Sequence, residues 1–336
     1  MTISLRKSDH VLHKELITIA PLNRKKKTLL ILASTLLAVG LILYKLADRY
    51  LIEHVEATVP ATQSAGTAAD ADDKEKSASE SAPVSQDDWN YNSGDIIIAV
   101  EKAETGSGSD KITYFVADVQ LKDSSSLKAA FAKNSFGRNI IENTSVIAAA
   151  NNAIFAINGD YYGFRSNGVI IRDGILYRDE PARDALAIFQ DGTMQAYNEE
   201  EVSSAELLAQ QVSHTYSFGP VLVDDGAVSD DLDQVSIDTN FGNRSIQSSN
   251  PRTGIGMIAP NHFVFVVVDG RMENYSKGMT LTEFAQLFAE LGATEAYNLD
   301  GGGSSTMYFM GRVVNNPLGK QKERGVSDIL YLAEPT

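Results

Sequence analysis

The run of residues 28–46 decides how this chain can be laid out, because its only charge is Lys45, near the end. It follows directly on Arg24-Lys25-Lys26-Lys27 and shows no amphipathic face, so it does not read as the helix of a soluble core. Its length suits a membrane span at the short end of the range. Basic residues flanking a span stay in the cytoplasm. A cytoplasmic basic tail is therefore expected over 1–27 and a transmembrane signal anchor over 28–46, with everything after about residue 48 outside the cytoplasm. A cleaved signal peptide carries the same order of charge, but Lys45, Asp48 and Arg49 stand where its small-residue cleavage site belongs.

From 47 to 88 the chain is mainly Ala, Ser, Thr, Asp, Glu and Lys. Such a segment buries too little apolar surface to offset its ordering entropy, which predicts a flexible extracytoplasmic linker and a folded domain over 89–336. Charge divides in the same place. Residues 1–27 hold seven Lys or Arg against two acids, a net +5, so the remainder carries −20 of the total −15. Nucleic acid is excluded as a partner of the main body on that ground. There is no cysteine, which removes disulfides, thiolate nucleophiles and cysteine-ligated zinc.

Beyond residue 89 the pattern is rich in strands. Runs at 95–100 and 111–121 flank a Gly-Ser loop, and hairpins are expected where Asp173-Gly174, Asp191-Gly192 and Asp225-Gly226 separate apolar runs. The unbroken run 263–268 predicts a strand covered on both faces. The clearest helix starts at Thr280, which caps while Glu283 reaches back; Leu281, Phe284, Leu287, Phe288 and Leu291 share its apolar face. Shorter helices are expected over 144–152 and 204–211. Strands and helices do not alternate, so the fold class is α+β, with a mixed, largely antiparallel sheet and a few packed helices.

That capped helix leads into Ala296-Tyr297-Asn298-Leu299-Asp300-Gly301-Gly302-Gly303-Ser304-Ser305-Thr306. Three glycines allow backbone amides to turn toward an anion, or simply make a tight connection. Ala156-Ile157-Asn158-Gly159-Asp160 echoes its Ala, Asn and Asp spacing, and if the echo is structural the two aspartates emerge from related units and face each other. Arg252, after Asn250-Pro251, and Arg271, in Asp269-Gly270-Arg271, offer guanidinium groups that grip phosphate. Asp328 follows Arg324 and reads as its salt-bridge partner. His214 and His262, the two histidines of the folded region, lack metal-ligand spacing, so neither a zinc site nor a Ser-His-Asp triad is supported.

Taken in order, Asn158-Gly159-Asp160-Tyr161-Tyr162, Ser217-Phe218-Gly219-Pro220, Asn250-Pro251-Arg252-Thr253-Gly254-Ile255-Gly256, Asp269-Gly270-Arg271, Gly278-Met279-Thr280-Leu281 and the 298–306 motif resemble the phosphodiester glycosidase family over roughly 148–332. The resemblance implies hydrolysis of a sugar-1-phosphodiester of the N-acetylglucosamine-1-phosphate type. By motif match, Asp300, Asp160 and Asp269 are the candidate catalytic carboxylates. Arg252, Arg271, Asn158, Asn298, the Gly301, Gly302 and Gly303 amides, Ser304, Ser305 and Thr306 are the candidate substrate contacts. Breaking an anomeric C–O bond builds oxocarbenium character on the sugar and charge on the phosphate, so carboxylates beside the ring and cations at the phosphate suit the chemistry. The expected partner is a phosphorylated glycan of the cell envelope or an exopolysaccharide. No cofactor is called for, although Asp224-Asp225 and Asp230-Asp231 leave bound calcium open. Two other readings stand beside the hydrolase: a non-catalytic module binding phosphorylated glycan, and a metal-dependent phosphodiesterase cleaving the P–O bond.

Overall fold

The computed structural model describes residues 23–59, 84–237 and 245–334. The chain divides into two compact units, 1–51 and 52–336. The first contains the helix Arg24–Tyr50, with no buried residue. It is the one helix among the described residues that is long and apolar enough to cross a membrane, with a mean hydropathy of 2.2 over its most apolar window; a signal sequence meets the same description.

Every ladder among the described residues of the second unit is antiparallel. The largely antiparallel character expected is present, distributed over two main sheets. The larger is nine-stranded, and across its middle run Val221–Asp224, Glu295–Asn298, Arg252–Ala259, His262–Val268, Ile112–Leu121 and Ile96–Thr105 as successive neighbours. The smaller is five-stranded, with Ala153–Asn158 between Met307–Phe309 and Asp328–Ala333. Asp173 and Gly174, and likewise Asp225 and Gly226, all adopt positive φ in their hairpin turns, the twist that joins antiparallel strands tightly.

His262–Val268 shows why its sequence is apolar throughout. Phe263, Phe265 and Val267 join Phe155 and Ile157 in the core between the two sheets. Val264, Val266 and Val268 pack instead with Phe284 and Phe288 of the helix Leu281–Glu290. That helix begins as its sequence predicts, with reciprocal bonds between Thr280 and Glu283. The shorter helices are Thr144–Ala150 and Ser204–Ala209. Where Leu281–Glu290 crosses the sheet, a Cβ on Gly254 would lie 2.9 Å from both phenylalanine rings. Gly254→Ala is expected to lower the unfolding free energy by about 1–3 kcal/mol through overpacking, read from the midpoint of a urea titration.

Part of the segment expected as linker is ordered: His54–Thr58 forms a strand paired with Ser135–Arg138. Its anchor is apolar. Ala57 and Val59 pack against the cluster of Phe131, Phe136 and Tyr162, a contact that composition alone does not reveal. Residues 60–83 of that segment lie outside the described residues.

The echoed units occupy comparable places. Thr144–Ala150 precedes Ala153–Asn158 in the smaller sheet, and Leu281–Glu290 precedes Glu295–Asn298 in the larger one. The ends of these two strands meet, since Asn158 Nδ2 donates to Asp300 O at 2.6 Å and Asp300 N to Gly159 O at 3.3 Å.

Candidate active site

A pocket of about 210 Å³ opens beside that junction, lined among others by Tyr161, Phe218, Arg252, Arg271, Asn298, Asp300, Gly301, Gly302 and Arg324. Of the residues singled out by sequence, it therefore brings together Asp300, Arg252, Arg271, Asn298, Gly301 and Gly302.

Asp300 follows Glu295–Asn298 by two residues and is 7% exposed. Burial pushes its carboxyl above the ordinary 3.8, against the opposing pull of Arg324. Arg324 Nη2 lies 3.1 and 3.3 Å from the two carboxyl oxygens and 2.6 Å from Ser304 Oγ. The pocket thus holds one carboxyl whose proton is retained longer than usual, paired with a half-exposed cation.

Arg252 opens the strand Arg252–Ala259 and is nearly buried. Its Nε donates to Met279 O at 3.0 Å and its Nη2 to Ile246 O at 2.5 Å and Ser248 O at 2.9 Å. Burial, then the neighbouring Arg271, push it down to about 10, so it remains a cation at neutral pH. Arg271 has a left-handed backbone and donates to Asn250 Oδ1 at 2.8 Å. Asn298 Nδ2 is held by Gly219 O at 2.8 Å.

The glycine run makes two close approaches that a side chain would block. A Cβ on Gly301 would fall 2.8 Å from Pro251 O, and one on Gly302 would fall 3.1 Å from the Arg271 guanidinium. Gly302 N donates to Pro251 O at 2.9 Å, which takes that amide away from any anion.

The other sequence candidates sit behind the pocket. Asn158 Oδ1 accepts from Thr253 Oγ1 at 2.8 Å and Thr306 N at 3.1 Å, so it rivets the two sheets together. Gly303 packs under the Arg324 side chain, and Ser304 Oγ accepts from Arg324. The hydroxyls of Ser305 and Thr306 are enclosed, with no hydrogen-bond partner. Asp269 is 2% exposed and accepts from Tyr275 Oη at 2.7 Å, Asn315 Nδ2 at 2.9 Å and Asn316 N at 2.9 Å. Burial raises its carboxyl while these bonds oppose the rise. It braces the loop beneath the glycine run.

Asp160 also faces inward. Its Oδ1 accepts from Tyr161 N at 2.6 Å and its Oδ2 from Ser217 N at 2.7 Å. Behind it lies an ion pair that the sequence reading missed: Asp328 takes Arg172 Nε at 2.8 Å and Nη2 at 2.7 Å, with both side chains buried. The partner of Asp328 is thus Arg172, while Arg324 serves Asp300. Position in sequence favoured the nearer arginine, but Asp328 lies within a strand of the smaller sheet and turns inward. His214 contacts Leu127 O and His262 contacts Asp118, both away from the pocket. Among the described residues there is no group of three or more His, Cys, Asp or Glu side chains placed to hold a metal.

Several known proteins resemble this chain in sequence or fold. An uncharacterised SPbeta prophage-derived protein of Bacillus subtilis is 32% identical over 209 residues, covering 60% of this chain and 31% of that protein. The bovine N-acetylglucosamine-1-phosphodiester alpha-N-acetylglucosaminidase is 30% identical over 104 residues, 29% of this chain and 19% of the enzyme. The chain therefore spans about a third of the first relative and a fifth of the second. The catalytic domain of the zebrafish enzyme of that name, auto-inhibited by its pro-peptide, shares the fold with a TM-score of 0.57 at 22% identity, over 73% of this chain and 85% of that one. The phosphodiester glycosidase family model matches residues 151–333, a stretch that contains Tyr161, Arg252, Asp300 and Arg324 together, and on that match the chain belongs to the phosphodiester glycosidase family.

Proposed function

We propose that this domain is a glycoside hydrolase that cleaves a sugar-1-phosphodiester of the N-acetylglucosamine-1-phosphate type, outside the cytoplasm, in a cell-envelope or exopolysaccharide glycan. One observation carries the reading: a buried carboxyl with a raised affinity for its proton, Asp300, lines the same small pocket as Arg252, Arg271 and Arg324. The guanidinium groups suit a phosphodiester and stabilise the charge that grows on it as the anomeric bond breaks. Asp300 is the group placed to exchange a proton with the leaving oxygen or with the incoming water.

The test uses the full chain in detergent, a panel of glycosyl phosphodiesters and water enriched in oxygen-18. Release of sugar with the label on the sugar is the expected result. Label in the phosphate would mean attack at phosphorus and a phosphodiesterase; binding without turnover would leave a glycan-binding module. The location rests on the basic cluster before the Arg24–Tyr50 helix. Because the chain has no cysteine, Ser125→Cys on the exposed surface places a single thiol in the domain. An impermeant maleimide should label it in intact cells, and labelling only after lysis would reverse the topology.

A further inference from the structure

We infer that Asp160 is a positioning residue, which clips together two loops so that Tyr161 and Phe218 form the pocket wall on which the sugar ring stacks. This rests on the proposed reaction and assigns the two ends of its substrate. The carboxylate of Asp160 is spent on backbone: one oxygen holds Tyr161 N at 2.6 Å and the other holds Ser217 N at 2.7 Å. These amides belong to different loops, and each loop supplies one aromatic side chain to the pocket. Arg165 repeats the tie, donating to Ser217 O at 2.9 Å with its guanidinium 5.2 Å from the Tyr161 ring centre and 4.9 Å from that of Phe218. The two rings stand 6.2 Å apart, edge to face.

Asp160 is itself pinned from behind, its N–H donating to Asp328 Oδ1 at 2.9 Å. A carboxylate held on both oxygens and at its own amide fixes backbone, and it does not line the pocket. Aromatic faces carry negative charge density and attract polarised C–H groups, which suits the apolar face of a pyranose. Arg252 and Arg271 line the same pocket and suit the phosphate. The sugar accordingly lies against Tyr161 and Phe218, and the phosphate toward the arginines.

Asp160→Asn separates this role from a chemical one. Asparagine offers one acceptor oxygen and an NH2 that cannot accept, so one loop loses its tie. Losing a charged hydrogen bond corresponds to about a 10- to 100-fold rise in KM, with kcat changed less than about tenfold and the pH profile kept. Phe218→Leu should raise KM similarly, and the double variant should be less than multiplicative, since both act on one wall. A fall in kcat of about 10³ or more at unchanged KM, or recovery of turnover with azide or formate, would instead make Asp160 a reacting group and overturn the assignment.

If Asp160→Asn does not fold, Tyr161→Leu and Phe218→Leu still decide the wall. Both should weaken binding of N-acetylglucosamine 1-phosphate in calorimetry while leaving inorganic phosphate binding as in wild type, and equal affinities for the sugar phosphate would remove the wall. Calorimetry also keeps the two ideas apart. Wild type that binds the sugar phosphate through these aromatics yet hydrolyses no diester retains the wall and loses the hydrolase. Wild type that binds sugar phosphate no better than phosphate loses the wall.

Discussion

Asp300→Asn is expected to lower turnover of a sugar-1-phosphodiester by about 10²–10⁴, the range set by loss of a positioned acid or base, while leaving substrate affinity within a few-fold. The wild-type pH profile should carry a limb above the ordinary aspartate value of 3.8, because burial raises this carboxyl more than Arg324 lowers it; the variant should lack that limb. The same shift makes a statement about stability. A carboxyl whose folded value lies above its unfolded one contributes stability that is fully present below 3.8 and is lost as the pH rises through the folded value. Asparagine has no proton to lose and keeps that contribution. Asp300→Asn should therefore unfold at higher denaturant than wild type at pH 7, with the difference vanishing in acid. A variant that keeps its turnover, or is less stable than wild type at neutral pH, would remove Asp300 from the centre of the site.

What could be read from sequence was what neighbouring residues decide. Thr280 and Glu283 bond each other within one helical turn, and the Asp-Gly turns need only their own φ angles. The run 263–268 announced two covered faces, and it has them. Long-range partners were out of reach. His54–Thr58 gains its order from Phe131 and Phe136, distant in sequence. The echo of Asn158-Gly159-Asp160 and Asn298-Leu299-Asp300 marked two strands that do meet, yet the aspartates differ in what surrounds them. Asp300 looks into the pocket at Arg324, whereas Asp160 is taken up by the Ser217 amide and backed by Arg172. Arg324 was given to Asp328 because the two lie close in sequence, and no local signal marks it as the side chain that turns toward Asp300.

Removing either half of the Arg172–Asp328 pair should cost about 3–5 kcal/mol of unfolding free energy, since each leaves a buried charge uncompensated. Arg172 is 1% exposed, stacks 4.2 Å over the Tyr216 ring and donates to Thr215 O, so its charge has no solvent to fall back on. The pair also reaches the site. Asp328 Oδ1 accepts from Asp160 N, Asp328 O accepts from Gly159 N, and Gly159 O accepts from Asp300 N, a chain of contacts from the buried charges to the pocket carboxyl. Arg172→Met and Asp328→Ala should each lose stability and activity together. Replacing both with apolar side chains, as Arg172→Met with Asp328→Leu, removes the stranded charge and should recover most of the stability. Activity should not return with it, because leucine cannot accept the Asp160 amide that fixes the corner between the two aspartates. Urea titrations alongside turnover measurements read both quantities. A double variant no more stable than the singles would mean that the pair is net stabilising in its own right, and one that regains full turnover would cut the link between this pair and the pocket.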